Sequence, residues 1–271
     1  MRDRLDHVLK SYAEDWSRFH SSHAQGGVKI KDFKSVEEMV VYQRALKGIE
    51  RASFERVGES EILKGIGKEE WRALAKKAID SGEVKVREGF DELVRKLEEG
   101  GGRWGIVSVN FCKDWIRSVL SSSIGQEKSE DVLVFANSPN ENGVLRAYDG
   151  GEVLCTSDGK LRALKVMIEQ LRDGEEGSGN IYIGDSSTDV ECLLDDDVEG
   201  VIMVKKDGTS KLVDLLESIG ETEVGGFKYL RMIRSARNFD QEWTSRNGKR
   251  VWFAYDFRDI LDRLLSELRK P

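Results

Sequence analysis

Apolar residues in the first part of the chain recur at helical spacing. Leu5, Val8, Leu9, Tyr12, Trp16 and Phe19 fall at steps of three and four, the stripe of an amphipathic helix. Ser35 followed by Glu38 forms a capping box that opens a second helix, with Met39, Val40, Leu46 and Ile49 on its inner side. A third helix is predicted from about Lys68 to Ile79 through Trp71, Leu74, Ala75 and Ala78, stopped by Ser81-Gly82. No strand pattern interrupts these three.

The texture then changes to short apolar runs alternating with helical stripes. Phe90, Leu93, Val94 and Leu97 mark a helix that ends in three glycines, Gly100 to Gly102. Strands are predicted at Trp104–Val109, Val132–Phe135, Ile181–Ile183 and Val201–Val204, with helices through Trp115–Leu120 and Leu161–Leu171 between them. Strands this short, apolar on both faces and separated by helices, indicate an α/β fold with a parallel sheet covered on both sides. The expected division is a helical domain over residues 1–83 and an α/β domain over 84–271. The glycine-rich stretch Arg172–Asn180 reads as a surface connection.

Composition narrows the classes. The 271 residues suffice for one large domain or two modest ones. A formal net charge of −7 argues against nucleic acid as a general partner. The start, MRDRLDHVLK, has no apolar core of a secretory signal, and no apolar run reaches the length of a membrane span. Cys112, Cys155 and Cys192 are odd in number and far apart, which suits reduced thiols and a cytoplasmic setting.

Three segments could carry chemistry. Asp185 closes the Ile181 strand, where open α/β sheets place ligands, and Asp189 lies four residues on in the next helical turn. Two carboxylates so spaced can converge on a hard cation such as Mg²⁺, and they serve equally well as turn and N-cap residues. Ser108 ends the strand before it and leads with Asn110 into a helix, a position that suits a phosphate or a simple cap. Lys160 stands at the N-terminus of the Leu161 helix, where a cation opposes the helix dipole, so an anion is expected beside it.

In this order, Ser108, Lys160 and Gly184-Asp185-Ser186-x-x-Asp189 resemble the second, third and fourth motifs of the haloacid dehalogenase (HAD) superfamily. Val86-Arg87-Glu88-Gly89-Phe90 is similar to the phosphoserine-phosphatase-like branch. The resemblance covers roughly residues 84–205. It implies a Rossmann-like core with the N-terminal helices as an all-helical cap, and phosphomonoester hydrolysis through an aspartyl phosphate. Ser108 and Lys160 would then hold the phosphoryl group, Asn110 would touch substrate, and Asp185 and Asp189 would hold Mg²⁺.

The family's first motif, an apolar strand ending Asp-x-Asp-x-Thr or -Val, is absent. The nearest imitation is Val251–Asp259, whose second acid lies three positions after Asp256 rather than two. Loss of a nucleophile costs on the order of 10⁶ in rate in enzymes that use one. The expectation is therefore a residual Mg²⁺ and phosphate site for a small phosphorylated metabolite, weak or inactive as a phosphomonoesterase. Two other outcomes stay open. One is a non-catalytic interaction or regulatory protein, and the other is different chemistry on the same scaffold with a pocket lined by Trp16, Phe19, His20 and His23. The place of the absent central strand is expected to be filled by a rearranged sheet, the Val251 strand, a partner chain or oligomer, or a segment missing from a shortened sequence.

Overall fold

The computed structural model describes residues 2–24, 33, 35–172, 179–205, 210, 212–214, 216, 242–244 and 250–268. Much of the predicted Arg172–Asn180 connection lies outside them. The chain is α/β, with helices flanking short parallel strands. No described helix is long and apolar enough to cross a membrane.

The helical region begins with α1 (Arg2–Ala24), α2 (Val36–Ala45), α3 (Lys47–Glu59) and α4 (Lys68–Asp80). Ser35 accepts a hydrogen bond from the Glu38 amide at 3.3 Å, as its capping position requires. The single helix expected to run through Ile49 is instead two, joined at Leu46, whose buried side chain is shared by both ends. On α1 only part of the apolar stripe is covered: Val8 is buried, while Leu5 and Leu9 face solvent.

After α5 (Phe90–Glu99) the chain enters β1 (Gly105–Val107), α6 (Lys113–Ile124), α7 (Gln126–Asp131) and β2 (Leu133–Phe135). A two-residue hairpin, β3 (Ser138–Pro139) with β4 (Leu145–Arg146), precedes α8 (Ser157–Arg172). Then follow β5 (Ile181–Gly184), a short helical turn into α9 (Val190–Leu193), β6 (Glu199–Met203), β7 (Glu242–Thr244), β8 (Arg250–Ala254) and α10 (Phe257–Leu268).

The parallel strands fall into two groups. β1 pairs with β2, and β5 pairs with β6, which pairs with β8; β7 adds an antiparallel edge. Alternation then distributes the side chains. Val201, Met203, Trp252 and Ala254 pack under α5 and α10. Ile202, Val251 and Phe253 face a larger cluster with Leu164, Tyr182 and Leu193. One helix serves both groups: α8 sends Leu164 and Ile168 into that cluster and Ala163 and Met167 onto β1 and β2.

Between the two groups, two strand edges face away from their partners. The Ser108 amide donates to the Phe135 carbonyl, which turns the backbone groups of Gly105 and Val107 away from β2. The Glu199 amide donates to the Asn180 carbonyl, which does the same for Ile181 and Ile183 relative to β6. No described strand pairs with either edge. The Val251 strand does not fill that place, because β8 lies on the other side of β6. The helical region is not packed as a separate body: Phe33, Met39, Tyr42 and Leu46 belong to the same cluster as Tyr182, Ile202 and Phe253.

Candidate functional site

The loop after β5 is built around one carboxylate. Ser186 is extended at φ −116° and forms a capping box with Asp189. Asp189 Oδ2 accepts from the Ser186 amide at 2.9 Å, the Asp185 amide at 3.2 Å and the Ser186 hydroxyl at 2.7 Å. Its Oδ1 accepts from Lys160 Nζ at 2.6 Å and from the Tyr182 hydroxyl at 2.5 Å. Lys160 and Asp189 are both buried, with side chains 8% and 5% exposed. A buried charge is tolerated when paired and hydrogen-bonded, and both conditions are met here. Gly184 leaves room for it, since a Cβ there would lie 2.6 Å from Asp189 Cβ and Cγ.

This arrangement sets the local titrations. Burial pushes the Asp189 carboxyl up, but the charge and hydrogen bond of Lys160, with those of Tyr182 and Ser186, outweigh it and hold it below the usual range. Burial and the Asp189 charge push the Tyr182 phenol well above its ordinary value, and the Cys192 thiol up to about 12.

The anion expected beside Lys160 is thus Asp189 itself. Asp185 and Asp189 are close in sequence but differ in use. The Asp185 side chain is 61% exposed, and among the described residues its carboxylate meets Arg87, at 3.4 Å. Arg87 also donates to the carbonyls of Val204 at 3.0 Å and Tyr255 at 3.4 Å, so it spans the carboxyl ends of β6 and β8. Among the described residues no group of three His, Cys, Asp or Glu could hold a metal ion. The donors described do not make a preformed Mg²⁺ site: both oxygens of Asp189 are engaged by protein donors, and Asp185 is drawn to Arg87.

At the end of β1, the Ser108 hydroxyl oxygen accepts from the Asn110 amide at 3.1 Å, and Asn110 Oδ1 accepts from the Cys112 amide at 3.0 Å. Both are turn-forming bonds at the entrance to α6. The Ser108 hydroxyl proton has no acceptor among the described residues, so it can donate to an anion.

Sequence reasoning missed several buried polar residues that hold these loops. Asn137, fully buried after β2, donates to the carbonyls of Asn110 at 3.0 Å, Leu154 at 2.9 Å and Val109 at 3.4 Å, and accepts from the Leu154 amide at 2.7 Å. Glu191 accepts from Ser157 at 2.7 Å and from Arg44 Nε at 3.0 Å, tying α2 to the start of α8. Tyr182 sits in an apolar strand, and its hydroxyl gives no signal in the pattern. In the aromatic group on α1, His20 stacks on Trp16 at 4.9 Å and Phe19 meets Tyr42 at 5.7 Å, so these rings mainly pack on one another. The side chain of His23 lies outside the described residues. All three cysteines are free and buried.

No family model matches the chain, and no solved structure matches it. Among curated proteins it is similar to Cold tolerance protein 1 of Saccharomyces cerevisiae (strain ATCC 204508 / S288c). The two are 24% identical over 192 residues, covering 66% of this chain and 58% of the relative. The chain thus spans a little over half the length of the curated relative that it matches.

Proposed function

We propose that this chain is a HAD-type protein of the phosphoserine-phosphatase-like branch, with a Rossmann-like core, whose site takes the phosphate of a small phosphorylated molecule. The observation that carries the proposal is the buried pair of Lys160 and Asp189, 29 residues apart, joined at 2.6 Å beside the end of β5. It unites the lysine and the last aspartate of the resemblance at the sheet end where ligands bind in open α/β folds. The division of the parallel strands gives further support. Loss of a middle strand would leave two groups of strands bridged by one helix, as α8 bridges them here.

In this site Ser108 donates its hydroxyl proton to a phosphate oxygen, at the positive end of the α6 dipole. Asn110 lines the same turn. Lys160, held by Asp189, supplies positive charge at the start of α8. Magnesium, which the resemblance implies, has no preformed site among the described residues, and the charge that faces the phosphate is that of Lys160. No aspartate of this chain stands in the nucleophile's motif, so phosphomonoesterase activity is weak or absent.

Two measurements test this. Inorganic phosphate at a hundredfold excess over its Kd should stabilise the protein by about 2.7 kcal/mol, read as a rise in melting temperature. An aryl phosphate with Mg²⁺ should give little turnover, and robust turnover abolished by Asp185→Asn would sink the inactive reading. A second reading, a non-catalytic interaction or regulatory protein, is favoured by the saturation of Asp189 by protein donors. It expects no stabilisation by phosphate, with or without Mg²⁺.

A further inference from the structure

Asn137 is hydrogen-bonded to neither Lys160 nor the Ser108 side chain, yet it bonds the two segments that carry them. Its side chain donates to the carbonyls of Val109 and Asn110 on one side, and both donates to and accepts from Leu154 on the other. Its backbone amide donates to the Asn110 carbonyl at 3.2 Å, and its carbonyl accepts from the Lys113 amide at 2.9 Å. The residue has no exposure to solvent at all. A primary amide has two donor hydrogens and one acceptor oxygen, and all are engaged within the fold.

The two segments belong to different elements. Val109 and Asn110 form the turn that aims Ser108 and opens α6. Leu154 leads through Cys155 and Thr156 into α8, where Lys160 follows one turn later. No described strand pairing joins them, because the β3–β4 hairpin lies between them in sequence and pairs only with itself. The Asn137 amide therefore joins the Ser108 turn and the entry to α8 by hydrogen bonds, alongside the packing of Val109 and Leu154 in one cluster.

We infer that Asn137 is a positioning residue that holds the Ser108–Asn110 turn and the Lys160 helix entry as one rigid anion-binding unit. The inference rests on the phosphate-site reading for its ligand, but the tie itself is a property of the fold. Removing the side chain leaves Ser108 and Lys160 unaltered as chemical groups and frees their spacing. A misplacement that costs Ser108 its hydrogen bond to the anion weakens binding by about tenfold or more.

The test uses the full chain with inorganic phosphate as probe, comparing the unaltered protein, Asn137→Ser and Val132→Ala. Val132 is buried under α6, away from both segments, and serves as a control for loss of stability alone. Phosphate affinity is measured well below the melting temperature of each. The expected result is a drop of about tenfold or more for Asn137→Ser, with Val132→Ala close to the unaltered protein. Equal affinities for all three proteins overturn the positioning role.

Amide hydrogen exchange supplies a readout that needs neither ligand nor variant. In the unaltered protein the amides of Leu154, Asn137 and Lys113 should open together, with one dependence on denaturant, since each bonds through Asn137. Separate openings overturn the tie even if Asn137→Ser fails to fold. Phosphate binding absent from the unaltered protein would instead sink the phosphate-site reading, and a common opening would still uphold the tie.

Discussion

Two strand ends of the same sheet carry nearly the same device. After β5, Asp189 closes on the amides of Asp185 and Ser186. After β8, Asp259 closes on the amides of Tyr255 at 2.8 Å and Asp256 at 3.1 Å. Both are carboxylates capping the helical turn that follows a buried parallel strand. They part in what lies behind the carboxylate. Asp189 has Lys160 and Tyr182 on its second oxygen and is buried, whereas Asp259 is only half-buried and has the acids Asp256 and Asp262 nearby. The carboxyl groups accordingly move in opposite directions. Lys160 and the hydrogen bonds overcome burial at Asp189 and lower it; at Asp259 burial and the neighbouring acids prevail over two backbone amides and raise it. A local capping motif is therefore common to both ends, and only the lysine brought from α8 makes one of them electrostatically special.

The largest effect should come from breaking that difference. Lys160→Met leaves Asp189 buried without its cation and should lower stability by about 3–5 kcal/mol in urea unfolding. Asp189→Asn should lose a similar amount by stranding the lysine. The double variant should recover part of the loss, since the two sites share one interaction; simple additivity would show that the pair contributes nothing as a pair. No change of similar size is available at the β8 end.

A smaller effect is expected for Tyr182→Phe, which removes one hydrogen bond to a charged acceptor. A loss of about 1.5–3 kcal/mol is expected, and a midpoint unchanged from the unaltered protein would mean that Lys160 alone satisfies Asp189 Oδ1.

Acid titration of stability separates the two carboxylates by sign. The folded value of Asp189 is lowered, so its contribution is present above the unfolded value of 3.8 and lost as pH falls through the lower folded value. The folded value of Asp259 is raised, so its contribution is present below the unfolded 3.8 and lost as pH rises through the folded value. Stability curves of Asp189→Asn and Asp259→Asn, each referred to the unaltered protein, should therefore slope oppositely in acid. Parallel slopes would remove the distinction drawn between the two ends.

The smallest effect is Asp259→Asn at neutral pH. Asparagine caps about as well as aspartate and carries no charge to bury, so the change should stay under about 1 kcal/mol. A large loss there would make the β8 end the equal of the β5 end.

What the sequence made legible was local. The helix from Lys68, the Ser35 cap and the strand at Ile181 all follow from neighbours within a few residues. The cation at the start of α8 signalled a missing anion through the helix dipole, but the identity of that anion depends on β5 packing beside α8, which no local pattern encodes. The lateral order of the strands was hidden for the same reason. Val251–Ala254 reads as a buried strand in any position, and only its register with Gly200–Met203 places it beyond β6. Asn137 was invisible because a single asparagine after a strand reads as a turn residue. On α1, Leu5 and Leu9 have helical spacing like Val8, yet Phe54, Val57 and Leu145 pack on Val8 and leave the other two bare.

Gly184 gives one more consequence. It has no side chain, no charge and no hydrogen bond that a substitution would delete, so a tally of interactions would rank it as dispensable. Yet the space that its hydrogen leaves is the space that the Asp189 carboxylate occupies, within 3.0 Å of where a methyl group would sit. A net gain of one carbon and two hydrogens there displaces the acid from its amides and parts it from its lysine. In a scan of single substitutions, Gly184→Ala should therefore group with the charge deletions at Lys160 and Asp189 and not with the turn glycines. Gly101 and Gly150, where a Cβ would meet nothing, have only their left-handed backbone to protect.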